Sequence, residues 1–323
     1  MRERRLWVMM AALAGLLVAS PAIAVDFPTK PVNLVVGFAA GGETDIVVRA
    51  MSDKLGEKLG QPAVVLNKAG AGGLVGAEFV AKSKPDGYNL LTLSLSHILR
   101  QSADSQMPVN VLKDYEPICR YVTQPLVVVV KGDAAYKTIE ELIDFGRKNP
   151  GKLSFGSPGV GSLGHFSGEY FKATTKLTYK HVPFQGSAPL TTALMGGHID
   201  FLITALPAVV GKLASGELKA IASFEGGRIE KIKDVPTLKE KGYPDLVLHG
   251  WFGYVAPAGT PKDVLEKLGK AIRDTIKDPA IVAAVQKMDF NEAYLGPEEL
   301  RDYMKSELAR FTEVAKREKI EIK

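Results

Sequence analysis

The stretch Val32-Asn33-Leu34-Val35-Val36-Gly37-Phe38-Ala39-Ala40-Gly41-Gly42-Glu43-Thr44-Asp45-Ile46-Val47 decides how this chain is read. Its first five residues are a short apolar run, the pattern of a strand buried on both faces of a parallel sheet. Glycines 37, 41 and 42 break the run. Thr44 or Asp45 is then placed to cap a helix, and Asp45 suits a helix start in a structural role. Val47, Met51 and Leu55 recur every four residues and give that helix one buried face. Gly60 ends it. Strand, glycine turn and helix in this order open a βαβ unit.

The same order repeats along the chain. Residues 63–66 predict a second strand, and Gly70-Ala71-Gly72-Gly73 leads into a helix carrying Ala77, Val80 and Ala81. Pro85-Asp86-Gly87-Tyr88 is a turn before a third strand over 89–95. A second set follows, with a β-branched strand at 126–130 and a helix over 138–148. Thr138 and Glu141 supply that helix with a capping box. Strands over 153–155, 178–182 and 201–204 then alternate with helices over 165–174 and 188–195. A strand over 247–255 returns with Trp251 in the core, before helices at 261–277, 280–288 and 297–317. The length of 323 residues allows about two such α/β units.

Composition narrows the function. The chain is 46% hydrophobic and 24% charged, which is globular rather than disordered. A net charge of +5, with the basic residues dispersed, does not describe a nucleic-acid binder. One cysteine, Cys119, excludes an internal disulfide and a cysteine-cluster zinc site. The five histidines stand too far apart for a local metal pair, and no metal or cofactor is expected. Residues 1–24 read as a secretory signal peptide: Arg2, Arg4 and Arg5, an uncharged apolar run shorter than a membrane span, then Ala22-Ile23-Ala24 for cleavage near Ala24. An exported protein lies outside the compartment that supplies NAD and ATP.

Three glycine-rich turns precede helices, at 37–45, 70–73 and 156–164. Glycine lets a backbone approach a ligand closely, and a helix start presents free N–H groups to an anion. Two such turns facing each other would hold an anion from both sides. Glycines also make tight turns with no ligand at all. Gly159, Gly161 and Gly164 spell GxGxxG, but no acidic residue follows at the distance a dinucleotide site needs; after Glu169 the next is Asp200. A Walker sequence is absent, and Phe155 stands where a nucleophile elbow around Ser157 needs glycine. His97 and His165 sit beside these turns. Glu43 could contact a cationic or hydroxyl group of a ligand, and is read in preference as facing solvent.

With Phe27-Pro28-Thr29-Lys30-Pro31, the opening segment resembles the start of the Bug/TctC family, the extracytoplasmic solute receptors of tripartite tricarboxylate transporters. The similarity continues through Asn67-Lys68-Ala69-Gly70-Ala71-Gly72-Gly73, Lys84-Pro85-Asp86-Gly87-Tyr88, His181-Val182-Pro183-Phe184-Gln185-Gly186, Gly196-Gly197-His198-Ile199-Asp200 and Ala256-Pro257-Ala258-Gly259-Thr260-Pro261. The resemblance implies a type II periplasmic-binding-protein fold with a cleft between two domains. Domain 1 would comprise 25–120 and 251–323, domain 2 would comprise 121–250, and hinge crossovers would fall near 121–126 and 248–254.

Carried over from the family, Phe38, Ala39, Ala40, Gly41 and Gly42 would cradle a ligand carboxylate. Ser94, Ser96 and His97 would lie in the loop after the third strand. Ser157, Gly161 and Ser162 would face them from domain 2, with Phe184, Gln185 and Thr204 nearby. The family usually has Pro-Pro where this chain has Ala39-Ala40, so the loop loses two fixed φ angles. The implied protein is a monomeric periplasmic receptor for a small organic acid that docks on a membrane permease. No arginine stands in the glycine turns, so dipoles and N–H groups would hold one buried carboxylate rather than three. Two other readings use the same residues: an exported hydrolase with Ser157 or Ser162 as nucleophile and His165 as base, and a sensor for a membrane kinase.

Overall fold

The computed structural model describes residues 27–104 and 106–322. The decisive stretch forms strand β1 (Val32–Val36) and helix α1 (Glu43–Leu59). β1 is flanked in parallel by β2 (Ala63–Asn67) and β3 (Asn89–Ser94). α1 buries Val47, Val48, Met51, Leu55 and Leu59. Gly60 ends the helix in the left-handed conformation, φ +72°, and its N–H bonds Gly56 O. The N-cap is Gly42, and Asp45 lies in the first turn rather than at the cap position. Asp45 stabilises the start from inside the helix, since its carboxylate accepts the Gly41 N–H at 2.9 Å.

Between β2 and β3 comes α2 (Leu74–Ala81). β3 stops at Ser94, one residue early, because helix α3 (Leu95–Ala103) begins there. Ser94, Ser96 and His97 therefore sit at the cap and first turn of a helix, not in a loop. The alternation Leu91-Thr92-Leu93-Ser94-Leu95-Ser96 has a strand's period of two and hides that start. His97 Nδ1 accepts the Ser94 N–H at 3.1 Å and fixes the cap.

The expected strand at 126–130 is the end of a much longer one, β4 (Tyr115–Lys131). Its first part runs antiparallel to β9 (His249–Pro257), from Tyr115 opposite Pro257 to Pro125 opposite His249. β10 (Asn291–Leu295) pairs with the same part. From Leu126 onward β4 lies between β7 (Phe201–Ala205) and β8 (Leu218–Ser223), antiparallel to both. Pro125, which has no N–H to give a ladder, marks the change of partner. In the second half, β5 (Leu153–Ser157) pairs in parallel with β7 and with β6 (Tyr179–Pro183). The strand order is β2-β1-β3-β9-β4-β7-β5-β6. β1–β3 are parallel and so are β5–β7, as expected, whereas β4, β8, β9 and β10 pair antiparallel.

Helices cover both halves: α4 (Ile139–Lys148), α5 (Leu163–Thr175), α6 (Ser187–Met195) and α7 (Val210–Ala214) in the second, then α8 (Lys262–Ile276), α9 (Pro279–Lys287) and α10 (Pro297–Glu318). Thr138 caps α4 by accepting the Glu141 N–H, while Glu141 reaches Lys137 N–H rather than its own cap. Alternate residues of β4 join opposite cores. Leu126, Val128 and Val130 pack in the core that holds Phe155, Phe166 and Phe201, and Val127 and Val129 in the one that holds Leu190, Leu194 and Leu202. All five β4 residues are fully buried, each contributing roughly 1.5–3 kcal/mol. That burial fixes the strand joining the halves.

Candidate ligand-binding cleft

A cavity of about 90 Å³ lies between the two half-sheets, walled by segments of both. Four helix starts converge on it: the N-caps Gly42 of α1, Ser94 of α3, Ser162 of α5 and Gly186 of α6 all stand in its wall. The first N–H groups of a helix have no partner within the helix, and the macrodipole places partial positive charge there. Converging starts therefore create a positive potential with no cationic side chain. Among the lining residues only Glu43 is ionisable.

Nine of the expected residues line the cavity: Phe38, Ala39, Ala40, Gly42, Ser94, Ser96, Ser162, Gln185 and Thr204. The other five do not line it. Gly41, at φ +80°, gives its N–H to Asp45. Gly161 gives its N–H to His165 Nδ1 at 3.1 Å. Phe184 packs beside the core of the second half, and its N–H bonds Ser157 O. His97 is buried in holding its cap, and burial pushes its pKa down to about 4, so its ring is neutral at pH 7. Ser157 is fully buried, with Oγ 2.7 Å from His181 Nε2.

The wall also holds Gln124, Ser187 and Phe252, which the sequence reading passed over, with Glu43, which it read as facing solvent, and Trp251, which it read as core. Buried Gln124 Oε1, Thr204 Oγ1 and Trp251 Nε1 have no protein partner among the described residues. Buried polar groups are normally paired, so three unpaired ones in one wall suit a site that a polar ligand completes. Gln124 and Trp251 lie on β4 and β9, the strands that carry the chain between the halves.

The two halves touch around this cavity. Leu163 N–H donates to Ser96 Oγ at 3.1 Å, and Ser187 Oγ donates to Glu43 Oε2 at 2.8 Å. Lys231 pairs with Asp289. The second glycine turn serves this contact rather than the cavity. A Cβ at Gly72 would stand 2.5 Å from Val160 O of the other half, and within the first half one at Gly37 would stand 2.6 Å from Gly73 O. Only glycine permits both approaches.

Asp45 anchors the first turn from below. Burial alone would raise its pKa, but hydrogen bonds from Arg49, Gly41 and Asn67 outweigh that and hold it below the ordinary carboxylate value. Asn67 Nδ2 also reaches Phe38 O at 3.1 Å, so the same network fixes both ends of the loop. Behind the third turn the His165 and His181 rings stack at 4.2 Å between centroids, and burial lowers both pKa values to about 4.

The serine–histidine geometry is not that of a nucleophile and its base. Ser162 Oγ donates to Gly159 O and accepts the His165 backbone N–H, while His165 Nδ1 takes the Gly161 N–H. Ser157 meets His181 rather than His165.

Residues 47–320 match the family described as tripartite tricarboxylate transporter family receptor. The chain belongs to that family. The Bordetella pertussis protein BugT is 33% identical over 307 residues, 94% of each chain. The solved structure of the periplasmic binding protein BugD superposes with a TM-score of 0.86 at 31% identity, covering 91% of this chain and 99% of that one. An R. palustris protein solved with adipate gives 0.86 at 29% identity, over 92% and 99%. The fold is thus the two-domain α/β fold of the periplasmic binding proteins. The family comprises periplasmic solute-binding receptors, not enzymes, which overturns the hydrolase reading. Among the described residues no helix is long and apolar enough to cross a membrane. The expected signal peptide lies outside them.

Proposed function

We propose that this receptor captures one small organic carboxylate in the cavity between its halves and delivers it to the membrane permease of a tripartite tricarboxylate-type transporter. Four helix N-termini meeting in a wall without a cation carry this reading. A carboxylate there would be held by N–H groups and by Thr204, Gln185 and Trp251, in charge-assisted bonds roughly twice as strong as neutral ones. The adipate bound to a relative supports an acid ligand. Domain 1 is 25–120 with 251–323, domain 2 is 121–250, and the hinge runs along β4 and β9 near 121–126 and 248–254. The domains close on the ligand about this hinge, and the permease reads the closed form. Export by cleavage near Ala24 places the receptor where it meets its solute.

A thermal-shift screen tests this reading. The chain from Val25 onward, unfolded and refolded to strip carried ligand, is heated with mono-, di- and tricarboxylates, amino acids and sugars. A ligand that binds only the folded state raises Tm by mass action. A rise confined to acids is expected, and a rise with sugars alone would refute the carboxylate site.

A further inference from the structure

Glu43 gives the cavity a sign its backbone does not have. Among the described residues it is the only ionisable one in a wall otherwise made of apolar, hydroxyl, amide and backbone groups. It stands at the first position of α1, where the helix dipole favours a negative charge. Ser187 of the opposite half donates to Oε2, and no described residue donates to Oε1. No lysine or arginine forms an ion pair with it among the described residues. Its outer side also edges a surface groove that carries Lys212 and Lys287. The wall is thus split, with helix starts that attract an anion and one carboxylate that repels one.

We infer that Glu43 selects a zwitterion, a ligand with one carboxylate on the helix starts and a protonated amine on Glu43. The inference rests on the carboxylate reading above and narrows it. A ligand carboxylate brings a second negative charge into a cavity that offers no cation. A dicarboxylate brings a third, and like charges held this close oppose each other. An ammonium group removes that repulsion and gives the unused Oε1 a charged donor. A hydroxyl group supplies a donor without the charge and is a test of the idea, not part of it.

The experiment compares sets of acids that differ in one group only. One set is β-alanine, 3-hydroxypropionate, butyrate and succinate. A second is alanine, lactate, isobutyrate and methylmalonate. A third is 5-aminopentanoate, 5-hydroxypentanoate, hexanoate and adipate. Calorimetry gives Kd for the refolded receptor, for Glu43→Gln and for Ser187→Ala. In the set whose skeleton fits, the amine should bind the native receptor about tenfold or more tighter than the diacid. Glu43→Gln should remove most of that ratio. Ser187→Ala removes the hydrogen bond to Oε2 and a contact between halves but leaves the carboxylate charged, so it should weaken every member and keep the preference for the amine.

A native receptor that prefers the diacid, or holds the hydroxy acid as tightly as the amine, overturns the inference, as does an unchanged ratio in Glu43→Gln. The native ratio decides by itself should Glu43→Gln fail to fold. Acids that bind without this preference sink the role of Glu43 alone, whereas no binding by any acid sinks the carboxylate reading and this inference together.

Discussion

Replacing Gly72 with alanine should weaken ligand binding without altering the cavity wall. Gly72 has φ +65°, so alanine there costs about 1 kcal/mol in the left-handed region, in the open and closed forms alike. The second cost belongs to closure. The new Cβ would stand 2.5 Å from Val160 O, 3.0 Å from Gly161 C and 3.2 Å from Ser162 N, all backbone atoms of the opposite half. Backbone cannot turn aside as a side-chain end can, so the halves must separate by a large part of an ångström. Overpacking of this kind costs about 1–3 kcal/mol. Falling on the closed form alone, that weakens affinity about 5- to 150-fold. Calorimetry with the acid found in the thermal-shift screen measures Kd, and small-angle scattering with saturating ligand measures closure. A folded Gly72→Ala protein with Kd within about twofold of the native value would refute the claim that closure across this contact drives binding.

Thr204→Val removes a buried hydroxyl that has no protein partner, so Tm should hold or rise while Kd weakens about tenfold or more, as calorimetry would read it. An unchanged Kd would take Thr204 out of the site. His97 should make stability fall on acidification: its folded pKa near 4 lies below the ordinary 6.5, so the unfolded chain binds the proton first. Its share, about 3 kcal/mol, is complete above pH 6.5 and gone by pH 4, which urea unfolding across that range would show. His165 and His181 act in the same direction. Asp45→Asn should lower Tm by about 2–4 °C, for a loss near 1 kcal/mol. Asp45 has a lowered pKa, so its contribution is complete above the ordinary value of 3.8 and falls away as pH drops from there through the lower folded value; melting curves at pH 7 and pH 3 should show a smaller deficit for the variant at pH 3.

Local signals were readable where neighbours in sequence are neighbours in space. The β1 run, the Gly60 stop and the Thr138 cap each depend on a few adjacent residues, and each stands where the pattern predicts it. β4 was half hidden because Pro117, Arg120, Gln124 and Pro125 interrupt its apolar pattern, and its ladder carries register shifts at Pro117–Cys119 and Arg120–Val122. α3 was hidden by a strand-like alternation that runs on into its first turn. Glu43 looked solvent-facing because its partner, Ser187, lies 144 residues away. Ser157 and His97 looked like ligand contacts because hydroxyl and imidazole groups beside glycine turns suit that role. Only the fold reveals that Ser157 Oγ meets His181, that His97 Nδ1 takes the Ser94 N–H, and that neither residue lines the cavity.

Trp251 offers the most direct test of where the ligand sits. The chain has two tryptophans; Trp7 belongs to the expected signal peptide, which leaves Trp251 alone after cleavage. It is fully buried in the cavity wall, and its Nε1 has no protein partner. Titrating the refolded receptor with its acid ligand should change the Trp251 emission saturably, with the midpoint equal to the calorimetric Kd and one site per chain. Calorimetric binding that leaves the emission untouched would put the ligand elsewhere and contradict the account.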